Sequence, residues 1–363
     1  MLQKVPWRKK RKLFSAWQIE LTTRCPLRCK MCIRSERDDW QNHDMALDEF
    51  KKLLPCLREV ETVILEGWGE SLLHPDLLEC IRLAKKEGAE VGFVTSAKGL
   101  TQTRAADLVH ADLDFIGFSI AGITAEIHDS IRVNSHLSEI LDAVRFIQEE
   151  KARLGRPHPR MHLVFLMVKD NVQQVPALPS FAREIGIEEV VLINICHAIN
   201  PWQEEQRVFS WEGGTSPYEP LLRQAEANAR KTHVRLWRPS ISSTDMPVCD
   251  ENPLKNLYIS SDGNVSPSVY LYPPLPSPFR RIFGCKEYWL EKVSFGNIFE
   301  EGFPAIWNRE PYVSFRSQFT ERKKRASDLY FSMLDSPRPA SLQANPFPEP
   351  PEPCRSCHKM IGV

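Results

Sequence analysis

Three cysteines, Cys25, Cys29 and Cys32, stand in the pattern C-x3-C-x2-C within "RCPLRCKMC" at residues 24–32. Thiolate is a soft metal ligand, and three of them on one short loop fill all but one position of a four-ligand site. A closed zinc site needs a fourth ligand nearby, and His43 is the only histidine within reach, eleven residues beyond Cys32. A [4Fe-4S] cluster on three cysteines instead keeps one iron open. An open coordination position separates a catalytic metal centre from a structural one. The loop follows directly on a predicted strand, "WQIELT" at 17–22. It therefore sits at a strand's C-terminal end, where parallel α/β folds collect their chemistry.

The elements that must hold this loop are legible as alternation. Apolar runs at 17–22, 62–67, 90–96, 114–120, 160–168 and 189–195 predict six strands, separated by amphipathic stretches such as "LDEFKKLLPCL" and "PDLLECIRLAKKEG". That is the signature of repeated βα units, whose crossover lengths fit a barrel or an open α/β sheet. Cys56 and Cys80 fall among leucines of these helical patterns and are expected in the core. Beyond residue 241 proline and serine rise, and "NLYISSDGNVSPS" reads as a hairpin around Asp262-Gly263. The expected organisation is a basic arm at 1–16, a core at 17–240 and a smaller cysteine-containing region at 241–363. Within the last, residues 337–353 hold seven prolines, a stiff connector ending at "CRSC".

Forty-seven basic residues cancel forty-seven acidic ones in a chain of 363, so no net field favours nucleic acid or an anionic membrane as partner. No run of about 20 apolar residues is present to span a bilayer, and the basic N-terminus has no apolar stretch behind it. The expected compartment is the cytoplasm, where thiols stay reduced and clustered ones read as metal ligands.

The cysteine loop resembles the signature of the radical S-adenosylmethionine (radical SAM) superfamily, C-x3-C-x-aromatic-C after the first strand. Met31 stands where the aromatic is usual, and its thioether can cover the same apolar surface. The resemblance covers most of residues 15–240 and implies an α/β fold built as a partial (β/α)6 barrel. It also implies a [4Fe-4S] cluster on Cys25, Cys29 and Cys32 whose open iron is chelated by S-adenosylmethionine. An electron from that cluster breaks the sulfonium C–S bond, and the resulting 5′-deoxyadenosyl radical abstracts a hydrogen from substrate. "EGWGESLLHPDL" is similar to the family's Gly-Gly-Glu motif: Gly69 and Glu70 match, Trp68 stands where a glycine is usual, and glycine is expected there because a ligand approaches the backbone. "FSIAGITAEIHDSIR" is similar to "S-x-D-G … H-D-x-x-R", with Ala121 in place of the aspartate. The resemblance implies that Arg132 makes a bidentate contact to the methionine carboxylate and that Ser119 bonds the ribose or carboxylate. His128 and Asp129 are expected to cap and orient their helix. Asn194, at the end of the sixth strand, is carried over as an adenosine contact. Cys196, just beyond it, either faces the cavity or is a small core hydrophobe.

Cys249, Gly263 and Ser268 resemble the C…G-x4-C opening of SPASM and twitch domains, with serine in place of the second cysteine. "FGNIFEEGFPAIWNREPYVSFRSQF" matches the "G-N-I … I-W … Y … F-R" run that follows, and Cys354 and Cys357 close the chain. Cys249, Cys285, Cys354 and Cys357 then make four thiolates for a second [4Fe-4S] cluster. A four-cysteine zinc site stays open, because spacing does not separate the metals. Together the motifs look most like maturases for tungsten-containing aldehyde oxidoreductase cofactors and their neighbours. That implies a protein, peptide or cofactor-precursor substrate and a low-potential electron donor such as ferredoxin or flavodoxin. With about 16 residues before the first strand, no fused leader-peptide-binding domain of typical size is expected there. The alternative is a barrel that has lost turnover and acts as an iron–sulfur scaffold or electron-transfer protein, motivated by Met31, Trp68, Ala121 and Ser268. The retained Cys25, Cys29 and Cys32 argue against it.

Overall fold

The computed structural model describes residues 12–35, 37–211, 214–335 and 347–363. Residues 1–11 of the basic arm predicted at 1–16, and residues 337–346 of the proline-rich stretch predicted at 337–353, lie outside the described residues. All six predicted strands are present: β1 (Phe14–Ile19), β2 (Val60–Ile64), β3 (Glu90–Thr95), β4 (Phe115–Ile120), β5 (Arg160–Met167) and β6 (Glu189–Asn194). β1 lies three residues earlier than expected, because its ladder with β2 already starts at the pair Phe14 and Val60.

The six strands run parallel and in chain order, continued past β6 by β7 (Arg235–Trp237). A doubly wound sheet reverses its order at a switch point. An order that never reverses puts every right-handed crossover on the same side, which curls the sheet into a partial barrel. The crossovers carry helices α1 (Leu47–Leu57), α2 (Leu77–Lys86), α3 (Gln102–His110), α4 (Ala125–Ile131), α5 (Leu137–Leu154) and α6 (Leu178–Glu184). Helices α7 (Pro201–Glu205) and α8 (Glu219–Thr232) connect β6 to β7. Helical period sets which face each helix buries: α2 turns Leu77, Cys80, Ile81 and Ala84 inward. They meet a core that includes Trp17, Phe93, Phe118 and Phe165, each fully buried. Burying one such side chain contributes about 1.5–3 kcal/mol. Cys80 belongs to this core and Cys56 packs at its margin, as expected from their leucine neighbours.

The sheet continues into the C-terminal region. β8 (Asn256–Ile259) pairs parallel with the free edge of β1, and β9 (Val265–Ser266) folds back antiparallel on β8 through the predicted Asp262-Gly263 turn. A second hairpin, β10 (Phe279–Phe283) and β11 (Lys286–Leu290), precedes α9 (Phe303–Trp307) and the 26-residue α10 (Glu310–Asp335). The "G-N-I … I-W … Y … F-R" run is an aromatic joint onto β1. Ring centroids lie 4.7 Å apart for Trp17 and Phe303, 5.0 Å for Phe14 and Trp307, and 4.1 Å for the stacked Phe295 and Tyr312. Arg316 lies 3.6 Å over the Trp307 ring. Each aromatic pair contributes about 0.5–1.5 kcal/mol beyond the area it buries. Arg322, fully buried on α10, pairs with Asp245 and donates to the Met246 carbonyl at 2.8 Å. The chain end joins the same segment, Thr244 N to Ile361 O and Met246 N to Met360 O, both at 2.9 Å. The approach to Cys249 is thereby tied to the tail that carries Cys354 and Cys357. No helix among the described residues is long and apolar enough to cross a membrane.

Candidate active site

The cysteine loop is pinned from three directions. Residues Arg28–Cys29 pair antiparallel with Arg132–Val133, setting Cys29 opposite Arg132. Lys30 N donates to Ile131 O and Cys32 N to Cys29 O, each at 3.0 Å. Gln203 of α7 donates to the carbonyls of Lys30 at 3.1 Å and Cys32 at 3.2 Å. Nothing in the sequence reading pointed to Gln203; Asn200 and Pro201 mark only the start of its helix, whose cap is the bond from Gln203 N to Asn200 Oδ1 at 2.8 Å. Leu27, Met31, Ile131, Val168 and Ile195 form an apolar collar around the thiols. Burial pushes the Cys25 thiol up to about 12 and Cys32 up to about 11. It raises Cys29 as well, against the pull of Arg132. Thiols held protonated by burial become ligands when a metal replaces their protons.

These thiols open into a cavity of about 250 Å³ at the strand ends. Gly69, Glu70, Ser119, Arg132 and Asn194, drawn from four separate places in the sequence, all line it. Arg132 brings Nη1 to 4.0 Å from Cys29 Sγ, and its Nε is buried without a partner. Asn194 donates through Nδ2 to Ser240 O at 3.0 Å, which leaves Oδ1 buried and unpartnered. Buried polar atoms are nearly always hydrogen-bonded. One orphan donor and one orphan acceptor on two residues that line the same cavity suit a ligand that carries both a carboxylate and donor groups, as S-adenosylmethionine does. His128 has the structural role expected of it. Its Nδ1 accepts from Ala121 N at 3.2 Å, its Nε2 meets Ser135 Oγ at 3.0 Å, and burial lowers it to about 4. Asp129, expected to cap its own helix, instead accepts from Leu137 N at the start of α5 at 3.0 Å.

The turn after β2 departs from expectation in its reason. A Cβ on Gly69 would fall 2.0 Å from Thr22 O, and one on Gly67 2.3 Å from Glu20 Oε1. The close neighbour of each glycine is therefore the chain leading out of β1. The Glu70 carboxylate is committed too, accepting from Thr95 Oγ1 at 2.6 Å, Ser96 N at 2.8 Å and Ser96 Oγ at 2.6 Å. It ties the end of β2 to the end of β3, so what this turn offers the cavity is backbone. Trp68 fits because its ring points away from β1, edge-on to Trp40, His197 and Tyr270, with Nε1 donating to Val269 O at 3.2 Å.

The predicted second ligand set is only partly assembled. Cys354 and Cys357 are buried and Cys249 half-buried against the same core. Burial raises the thiols of Cys249 and Cys354, with Cys357 adding to it, and the bonds from Thr244 and Met246 to the chain end bring the segment before Cys249 to the tail that carries Cys354 and Cys357. Cys285 departs from the expectation. It is exposed at the β10–β11 turn with positive φ, its N–H donating to Glu204 at 3.0 Å, because a two-residue turn holds it out of the core. Ser268 is engaged otherwise, its hydroxyl accepting from Tyr270 N at 3.1 Å. Among the described residues no group of three or more His, Cys, Asp or Glu side chains is drawn together as the ligands of one metal ion are. In a cubane each thiolate binds a different iron, so its ligands stand farther apart.

Four cavity residues were missed or left open by sequence reasoning: Glu66, Cys196, His197 and Tyr270. Burial raises Glu66 to about 8, with Glu70 adding to it, so this carboxyl is largely protonated at neutral pH. The signal for Glu66 was present, an acidic residue at the end of an apolar strand. Tyr270 comes from a segment far along the chain, and nothing local announces its place.

The family model for the radical SAM superfamily matches residues 19–171, and that for SPASM, an iron–sulfur cluster-binding domain, matches residues 249–329. The chain is 26% identical over 303 residues, 82% of each protein, to a tungsten-containing aldehyde ferredoxin oxidoreductase cofactor-modifying protein of Pyrococcus furiosus. It is 26% identical over 180 residues to the PqqA peptide cyclase of Bradyrhizobium diazoefficiens, a match spanning 49% of this chain and 45% of that one. In fold it is similar to Streptococcus suis SuiB bound to S-adenosylmethionine, with TM-score 0.60 at 14% identity, covering 84% of this chain and 68% of that one. The [4Fe-4S] cluster and S-adenosylmethionine belong to the first domain and further iron–sulfur binding to the second. Sequence, strand order and the thiol-lined cavity agree: residues 19–171 carry a radical SAM domain and residues 249–329 a SPASM domain behind the partial barrel.

Proposed function

We propose that this enzyme is a maturase that cleaves S-adenosylmethionine reductively and uses the radical to modify a peptide, a protein or a metal-cofactor precursor. The observation that carries this reading is the cavity where the thiols of Cys25, Cys29 and Cys32 meet Ser119, Arg132 and Asn194. When bound, the cluster and S-adenosylmethionine supply one-electron cleavage of the sulfonium C–S bond, giving methionine and a 5′-deoxyadenosyl radical that takes a hydrogen atom from substrate. Cys25, Cys29 and Cys32 would hold the cluster and, being three, would leave a position for S-adenosylmethionine. The Arg132 guanidinium, with Nε free of partners, would bind the methionine carboxylate, Asn194 Oδ1 would accept from the adenosine, and Ser119 would bond the ribose or carboxylate. The backbone at Gly69 and Glu70 receives the amino group. Met31 and its collar exclude water from the thiolates.

The functional division is a core at 17–240 and an auxiliary iron–sulfur region at 241–363. The substrate class is supported by the names of the two relatives, one acting on a cofactor and one on a peptide. A zero net charge disfavours nucleic acid as partner. Ten unpaired cysteines suit the cytoplasm, and a ferredoxin or flavodoxin there would deliver the electron. The test is the full chain, reconstituted anaerobically with iron and sulfide and reduced in the presence of S-adenosylmethionine. Methionine and 5′-deoxyadenosine should form together. A protein with full iron content that forms neither would sink the reading.

A further inference from the structure

The C-terminal site has three clustered thiols, Cys249, Cys354 and Cys357, and a [4Fe-4S] cluster held entirely by protein needs four. Cys285 stands exposed on its turn, and the Ser268 hydroxyl is occupied as a cap. One further cysteine is buried beside this group. Cys196 follows β6, and its carbonyl accepts from His358 Nδ1 at 2.9 Å, so it is stapled to the residue that adjoins Cys357. The Cys196 thiol is itself buried, donating to Asn194 O at 3.3 Å.

The surrounding charge also calls for an anion. Arg281 is fully buried with Nε unpartnered, and Cys357 and Cys354 are the groups whose charge acts on it. Arg207, also buried, is already paired with Glu204 and donates to Ile282 O at 3.1 Å, so Arg281 is the cation left to be answered. A buried cation without counter-charge is costly, and a cluster with four thiolates carries net negative charge that would answer it.

We propose that Cys196 supplies the fourth thiolate, with Cys249, Cys354 and Cys357, of the second [4Fe-4S] cluster. The proposal rests on the reading that the C-terminal cysteines hold an iron–sulfur cluster. Cys196 also lines the cavity that holds Cys25, Cys29 and Cys32. Ligation by Cys196 therefore makes the second cluster part of the wall of the reaction cavity.

The test uses the full chain carrying Cys25→Ala, Cys29→Ala and Cys32→Ala, so that only the second cluster remains, reconstituted anaerobically. Iron and sulfide content and the electron paramagnetic resonance spectrum are the readouts. This parent should hold about four irons per chain. Adding Cys196→Ala should reduce the iron to about three or fewer and produce the signal of an oxidised three-iron cluster, whereas adding Cys285→Ala should change neither readout. Cys196→Ser guards against a folding defect: a hard oxygen ligand should shift the spectrum of the reduced cluster. Four irons and an unchanged spectrum in a folded Cys196→Ala or Cys196→Ser protein overturn the assignment, as does loss of the cluster in Cys285→Ala. A parent that binds no iron, or binds zinc, instead overturns the cluster reading itself and the proposal with it.

Discussion

The cysteines at the barrel mouth come from nine consecutive residues, 24–32, whereas Cys249 and Cys354 are 105 positions apart in the chain. The first site inherits its geometry from a short loop braced by local bonds and by Arg132 and Gln203. The second exists only once β8, α10 and the chain end have docked. Closing a loop costs entropy that rises slowly with its length, and a metal across a long loop restores that order in one step. The first site is built for chemistry, since its ligands are spaced by one short loop that the barrel then braces. The second, whatever its redox role, is also a clip on the fold.

The sharpest way to break this contrast is to empty each site in turn. Cys25→Ala with Cys29→Ala and Cys32→Ala should abolish 5′-deoxyadenosine formation to the detection limit while the C-terminal iron stays. Cys249→Ala with Cys354→Ala and Cys357→Ala should keep S-adenosylmethionine cleavage. It should also make the tail, held by the Thr244–Ile361 and Met246–Met360 bonds, the first segment to exchange amide protons with deuterium. Equal protection of the tail with and without the second metal would remove the clip from the picture. Cleavage lost along with that metal would mean that the two sites are one functional unit.

A smaller effect is expected within the first site. Arg132→Ala removes a charged contact from the cavity but no thiolate. The loss should be about 1.5–3 kcal/mol in S-adenosylmethionine affinity, roughly 10- to 150-fold in Kd, with the cluster spectrum retained. Isothermal titration of the reconstituted protein measures it. Unchanged affinity would leave the orphan Arg132 Nε to some other ligand.

The same contrast explains what could be read in the sequence. Six strands and the cysteine loop are local patterns, and all six strands stand within three residues of their predicted bounds. Ser119 and Asn194 lie at the C-terminal ends of β4 and β6, so strand order carries them to the same cavity, and Arg132 joins them from the end of α4. Glycine at 69 was expected, but its reason was not: whether a Cβ would strike a ligand or Thr22 O depends on how β1 and β2 pack. Trp68 and Tyr270 meet edge-on across about two hundred residues of chain, and no periodicity encodes that meeting. Cys285 was assigned by elimination among cysteines, and a hairpin register cannot be counted from spacing alone. Nonlocal contacts decide the second site, and a single sequence carries little trace of them.

The smallest expected effect concerns Ser268, which stands where the family resemblance expects a cysteine ligand. Its hydroxyl accepts from Tyr270 N at 3.1 Å and so caps the short turn Val269–Leu271, while its carbonyl receives Ser266 Oγ at 3.2 Å. A serine oxygen is a hard, poor partner for iron–sulfur chemistry, and this one is already committed as an acceptor. Ser268→Ala should therefore cost about 1 kcal/mol, the usual loss of a helix cap, read as a lower urea midpoint at unchanged slope. Iron content should not move. That turn carries Tyr270, which faces Trp68 across the cavity wall, so the cost falls on the seam between the two regions rather than on either metal site. Loss of about one iron per chain in Ser268→Ala would make this serine a ligand and return the second site to the arrangement that the resemblance implies.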